Sequence, residues 1–286
     1  MKKSILFLIL LFPFFVMCQR NSKKEETALV FPSDTIPMQY SNERPRYCLP
    51  ILNGIVNDSL HFEVFFDSGA TGNYFRISES FKNLFDSDSA YMQIGKLKKQ
   101  MGIRYWGSNQ SSIFGIIGNN TIVVGWQFFE NRIIEFDFQN QRILVYNELP
   151  DIIEYSKIKI SLLFNESFLF IPVQVVIQEK AIQDTFCIDT GCNEYMVLIK
   201  KHIEENKVDT TSAYYQTAVV IGRPIPHFSI SADTIKIGDL NVTNQNIRVS
   251  VTNIREKGLL GTKTLENFSV ILDLINYDLY LKNVDN

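Results

Sequence analysis

Two stretches decide how this chain folds. Pro50–Gly72 reads PILNGIVNDSLHFEVFFDSGATG, and Pro172–Asn193 reads PVQVVIQEKAIQDTFCIDTGCN. In each, a proline precedes an aspartate by 17 residues, Pro50 before Asp67 and Pro172 before Asp189, with no gap. Each stretch is two apolar runs around a short polar turn, near Asn57-Asp58-Ser59 in one copy and Glu179-Lys180 in the other. Runs rich in Val, Ile and Phe on either side of a polar turn are the pattern of a β-hairpin. Each copy therefore predicts a hairpin whose second strand ends on Asp-Ser-Gly or Asp-Thr-Gly.

Two further elements follow in the same order. Gly115-Ile116-Ile117-Gly118-Asn119-Asn120-Thr121-Ile122 matches Gly258-Leu259-Leu260-Gly261-Thr262-Lys263-Thr264-Leu265. IIEFDFQNQRILVY, around Asp137, matches VILDLINYDLYL, around Asp273, and both read strand, polar turn, strand. Three elements repeated in order point to a duplication, with unequal intervals where loops have diverged. The connection from Asn147 to Lys159, with Pro150 and several charges, is the expected boundary between an N-terminal lobe over 41–150 and a C-terminal lobe over 151–286. Helical patterns are confined to short stretches near Ser78–Phe85 and Leu198–Glu205; the remainder reads as β. Asp137 and Asp273 sit between strands and read as turn residues or surface charges.

Composition sets the bounds. Of 286 residues, 45% are hydrophobic and 21% charged, which excludes a disordered chain and a polytopic membrane protein. The net charge of −3 lacks the basic footprint of a nucleic-acid binder. Three histidines (His61, His202, His227) and four cysteines do not suggest a His-rich metal site or a disulfide framework. No HExxH, GxSxG or GxxxxGK[ST] pattern is present. A Cys–His nucleophile built on Cys187 or Cys192 is the remaining alternative chemistry, and the histidines have no repeated context to support it.

At the N-terminus, Lys2 and Lys3 precede an apolar stretch from Ile5 to Met17, shorter than the ~20 residues a membrane span needs. Residues 1–18 read as an export signal, and 19–40, polar from Gln19 to Glu26, as a tether. Cys18 ends the apolar run where a bacterial lipoprotein signal places the thiol that receives lipid. A signal cut by an ordinary peptidase and an uncleaved anchor are the other readings. The expectation is an exported protein of the bacterial cell envelope, periplasmic or at the outer membrane, with Cys18 as lipid anchor. Of the remaining cysteines, Cys48, Cys187 and Cys192 cannot all pair with one another, and buried thiols are the simpler reading than a Cys187–Cys192 bridge.

A carboxylate in a tight, glycine-containing turn can be presented to a cleft while neighbouring backbone donates hydrogen bonds. If two lobes meet about a two-fold axis, Asp67 and Asp189 meet on it. Two carboxyls in contact share one proton, because both cannot readily ionise. The ionised one can then deprotonate a water while the protonated one bonds a substrate carbonyl. Gly69 and Gly191 allow close approach, and Ser68 and Thr190 carry hydroxyls able to tie the two loops together.

The chain resembles the pepsin/retropepsin-like aspartic peptidases, in which each lobe carries D-[ST]-G followed later by two hydrophobic residues and a glycine. Here those are Asp67-Ser68-Gly69 with Ile116-Ile117-Gly118, and Asp189-Thr190-Gly191 with Leu259-Leu260-Gly261. The resemblance covers most of Tyr47 to Leu281. It implies a mostly β, bilobal acid-protease fold of two related barrel-like lobes. It implies catalytic aspartates at Asp67 and Asp189, loop support from Ser68, Gly69, Thr190 and Gly191, and a peptide or protein substrate. It implies no metal or organic cofactor, and one chain suffices as a monomer. Ala70 and Cys192 follow the two motifs where pepsins commonly have a hydroxyl, which implies a less acidic working pH. Tyr105-Trp106, between Gly102 and Gly107, is the candidate hairpin tip of a flap. A catalytically inactive peptide-binding or structural envelope protein of the same fold is the competing reading.

Overall fold

The computed structural model describes residues 30–39, 49–106, 120–165, 167–211, 213–220, 223–251 and 256–284. Its strands build two barrels and one sheet shared between them. The first barrel uses β2 (Ile51–Val56), β3 (Leu60–Phe66), β4 (Tyr74–Ser78), β5 (Ser89–Ile94), β6 (Leu97–Trp106) and β7 (Thr121–Val124), closed in the order β2-β3-β7-β4-β6-β5. The second uses β12 (Phe168–Ile177), β13 (Lys180–Asp189), β14 (Met196–Ile199), β16 (Arg223–Ile237), β17 (Leu240–Ser250) and β18 (Leu259–Gly261). These run β12-β13-β18-β14-β17-β16, and the β12–β16 pairing closes the ring. Strand for strand the two rings are the same. Flanking strands β11 (Ser161–Leu163) and β15 (Tyr214–Val220) extend the second.

The shared sheet is six-stranded, in the order β1-β9-β8-β19-β20-β10. Its strands are β1 (Asp34–Pro37), β8 (Ile133–Asp137), β9 (Arg142–Tyr146), β10 (Ser156–Lys159), β19 (Phe268–Asp273) and β20 (Asp278–Asn283). Its centre is the antiparallel β8–β19 pair, so each lobe contributes a matching half. The mostly β, two-barrel architecture implied by the resemblance is the one the chain adopts.

Local sequence explains the hairpins. The bends carry consecutive residues with positive φ, Asn57 and Asp58 in one copy and Gln178 and Glu179 in the other, which suits the right-handed twist of the flanking strands. The second bend falls one residue earlier than expected, since Lys180 already pairs with Ile177. Alternation then sorts the side chains: Phe75 and Ile77 of β4 are fully buried inside the barrel while Tyr74, Arg76 and Ser78 face outward. The expected helices are short, a 3₁₀ turn at Glu79–Leu84 and an α-helix at Lys200–Glu205.

One boundary needs correction. Asp34–Pro37, inside the stretch expected as a tether, is β1 and pairs with β9. Ile36 and Met38 are buried, and the Asp34 carboxylate accepts from the Thr35 and Lys96 backbone N–H groups at 2.9 and 2.6 Å. Burial of two apolar side chains and a satisfied carboxylate hold this segment in the fold.

Candidate active site

The two aspartate turns meet between the barrels and bond each other reciprocally. Ser68 Oγ donates to the Ile188 carbonyl at 2.7 Å, and Thr190 Oγ1 donates to the Phe66 carbonyl at 2.9 Å. In return the Thr190 N–H donates to Ser68 Oγ and the Ser68 N–H donates to Thr190 Oγ1, both at 2.9 Å. Ser68 and Thr190 are fully buried, so these four bonds satisfy groups that water cannot reach. Behind them, Phe66 packs on Phe129 and Phe136 with centroids 5.1 and 5.8 Å away, which fixes the strand end that presents Asp67.

Within each turn the carboxylate is held by its own loop. Gly69 N–H donates to Asp67 Oδ1 at 2.8 Å, and Gly191 N–H to Asp189 Oδ1 at 2.9 Å. The glycines also explain themselves across the interface. A Cβ on Gly69 would stand 2.6 Å from Asp189 Cγ, and a Cβ on Gly191 would stand 2.6 Å from Asp67 Cγ. Each glycine thus makes room for the other lobe's carboxyl, and the two carboxyls hydrogen-bond one another.

That contact sets the charge state. Burial, then the Asp189 charge and hydrogen bond, push Asp67 up to about 8, against the opposing pull of Arg76 and the Gly69 N–H. Below that pH the pair keeps a proton between its oxygens. Cys192, just beyond the second turn, is a free thiol whose ionisation is pushed far up by burial and the Asp189 charge. No disulfide joins Cys187 to Cys192. A protonated, buried thiol is a poor nucleophile, and His202 Nε2 is engaged by Asp184 at 3.0 Å. A Cys–His pair built on Cys192 therefore lacks its thiolate.

The apolar-apolar-Gly element requires a correction in the first lobe. Ile116-Ile117-Gly118 lies outside the described residues. The counterpart of Leu259-Leu260-Gly261 is Val123-Val124-Gly125. Val123 and Val124 register against Phe65 and Phe66 as Leu259 and Leu260 register against Cys187 and Ile188. The glycine is required in both copies, because a side chain on Gly125 would collide with the Ala70 carbonyl and one on Gly261 with the Cys192 carbonyl. The sequence held the signal. Gly125 precedes Asp137, and Gly261 precedes Asp273, by the same 12 residues, and Glu130-Asn131 recurs as Glu266-Asn267 between them. Asp137 and Asp273 are turn residues, each accepting from the N–H three residues on, at Asn140 and Asn276.

The flap expectation is also corrected. Tyr105 and Trp106 form no hairpin tip; they are the last two residues of β6, paired with Ile77 and Ser78 of β4. Alternation sends them apart. Tyr105 packs toward the barrel core, and Trp106 joins an outer cluster with Phe65, Ala70 and Val123 beside the first aspartate turn. Arg76, which the sequence did not single out, lies with its guanidinium carbon 5.6 Å from the Trp106 ring. Among the described residues no group of three His, Cys, Asp or Glu could hold a metal, and no helix is long and apolar enough to cross a membrane. Cys18 lies outside the described residues.

No protein-family profile matches the chain, and no curated protein matches it. Among solved structures it is similar to a retropepsin-like aspartic protease from Rickettsia conorii. The identity is 20% over 44% of this chain and 93% of that one, with a TM-score of 0.35, a likeness too slight to bear on function.

Proposed function

We propose that the protein is an aspartic endopeptidase, and the observation that carries this is the reciprocal packing of each glycine against the other lobe's carboxyl. It supports a dyad that holds one proton between two carboxyls. The ionised member takes a proton from a water, whose oxygen attacks the peptide carbonyl. The protonated member donates to the carbonyl oxygen as it gains charge. Collapse of the tetrahedral diol breaks the C–N bond, the leaving nitrogen takes a proton, and the pair is restored without a covalent intermediate. The donors at Gly69 and Gly191 hold the carboxyls in place through these steps.

The raised Asp67 suits work near neutral pH, which fits an exported envelope protein. Residues 1–18 serve as the export signal and Cys18 as its lipid attachment point in this reading. Replacing Cys18 by alanine should release the protein from membranes; unchanged membrane association removes Cys18 as the anchor. The catalytic reading is tested with a mixed peptide library from about pH 3 to 9, beside Asp67→Asn and Asp189→Asn. Cleavage lost in both variants supports the dyad, and cleavage persisting in both rejects it. Peptide binding without cleavage by the unaltered protein would favour the non-hydrolytic reading.

A further inference from the structure

Arg76 of β4 and Arg104 of β6 are directly paired across parallel strands, on the outward face of the first barrel. Like charges placed opposite one another destabilise a sheet. Among the described residues neither guanidinium is ion-paired with a carboxylate, and Arg76 feels the Asp67 charge only at longer range. Both instead pack on one aromatic ring. Arg104 lies 4.0 Å and Arg76 5.1 Å from the centroid of Tyr74, and Arg76 also donates to the Tyr74 hydroxyl at 3.1 Å. Ring and hydroxyl hold the guanidiniums in place without neutralising them. Room for the ring comes from Gly72, where a Cβ would collide with Tyr74 Cε1, and Gly102, opposite Tyr74, leaves space for its Cβ.

This positive cluster adjoins the dyad. Arg76 contacts the Trp106 ring, Trp106 packs in the cluster that holds Ala70, and the Arg76 charge is felt at Asp67. Two oriented guanidiniums with no ion-paired carboxylate among the described residues match the planar, bidentate geometry of a carboxylate. We propose that Arg76 and Arg104, held on Tyr74, form a subsite for an acidic side chain of the peptide substrate, making the enzyme selective for Asp or Glu at one fixed position near the scissile bond. This rests on the aspartic-peptidase reading of Asp67 and Asp189. The acidic side chain pairs directly with both guanidiniums, so their mutual repulsion is relieved on binding rather than on folding.

The test compares peptides differing only by Glu or Gln at each position around a cleaved bond, using the protein and its Arg76→Gln/Arg104→Gln variant. At one position the Glu peptide should have kcat/KM about tenfold above its Gln match, the scale of one charge-assisted contact. In the double variant that ratio should fall to about one. A ratio near one in the unaltered protein, or a ratio unchanged in the variant, overturns the subsite. If the double variant does not fold, Arg104→Gln alone should lower the ratio, and an unchanged ratio again overturns it. If the unaltered protein cleaves neither peptide, the dyad reading fails by itself. The subsite is then decided by fluorescence anisotropy of the same peptides. Tighter Glu binding that is lost in the variant supports it, and equal binding rejects it.

Discussion

The two lobes agree closely at the aspartate turns and diverge immediately beside them. Each turn gives one hydroxyl, one N–H and one glycine to the other, with bond lengths of 2.7 to 2.9 Å on both sides. One step outward the likeness ends. In the second lobe Arg248 of β17, opposite Val197 of β14, is ion-paired with Glu194. In the first lobe the corresponding strands β6 and β4 bring two arginines together, with no carboxylate partner among the described residues. Beyond the turns, Ala70 faces Gly125 where Cys192 faces Gly261. Meeting on a two-fold axis constrains only the groups that touch across it. The flanks carry no such constraint, and there the two half-sites can take on different tasks.

The strongest way to break the symmetric part is to fill one glycine. Gly191→Ala puts a methyl 2.6 Å from Asp67 Cγ, and displacing a reacting group by a fraction of an ångström to an ångström costs about 10²-fold in rate. Gly69→Ala should do the same to Asp189. Peptide cleavage assays on folded variants check this, and near-normal rates would mean the carboxyl contact is not the working geometry.

Next come the cross-bonds. Thr190→Val or Ser68→Ala leaves buried donors and acceptors unsatisfied, an expected loss of about 1–3 kcal/mol in denaturant unfolding. The two variants should cost similar amounts, and the double variant should cost less than their sum, because each hydroxyl serves the other's backbone. Simple additivity would mean the bonds are not reciprocal.

The pH dependence sharpens the comparison between the carboxyls. Cleavage should fall as pH rises through about 8, where Asp67 gives up the shared proton. Stability follows the same proton. The folded protein holds it more tightly than an ordinary carboxyl with a pKa of 3.8, so this contribution is complete near pH 4 and is lost as pH rises to about 8. Asp67→Asn has no proton to lose there. Its Tm relative to the unaltered protein should therefore climb between pH 4 and pH 8, by roughly 2–4 °C for each kcal/mol relieved. A Tm difference independent of pH contradicts the coupling. The smallest effect belongs to the asymmetric flank. Glu194→Gln removes the partner of Arg248 from a partly exposed pair, at a cost of about 1 kcal/mol or less.

Much of the fold was legible because it is written locally. The hairpins announce themselves through alternation and turn residues, and the shared 17-residue interval from proline to aspartate aligns the two half-sites. The first-lobe apolar-apolar-Gly element was misplaced because so short a signal occurs twice within ten residues, at Ile116-Ile117-Gly118 and at Val123-Val124-Gly125. Pairing with β3 and the 12-residue interval to Asp137 distinguish them. Tyr105 and Trp106 were misread for a related reason. A glycine beside aromatics looks like a turn, yet Gly102 lies within β6 to accommodate Tyr74. The Arg76–Arg104 pair could not be seen in sequence at all, since parallel pairing of β4 with β6 joins residues that no local pattern connects.

The claim on which the rest depends is that Asp67 and Asp189 form one proton-sharing pair. Carboxyl-labelled aspartate followed by ¹³C NMR across pH tests it without needing to know the substrate. The expected result is an Asp67 carboxyl that ionises near 8, and at a lower pH in Asp189→Asn, where the neighbouring charge is gone. An Asp67 that ionises near 4, or whose titration is indifferent to Asp189, would contradict it.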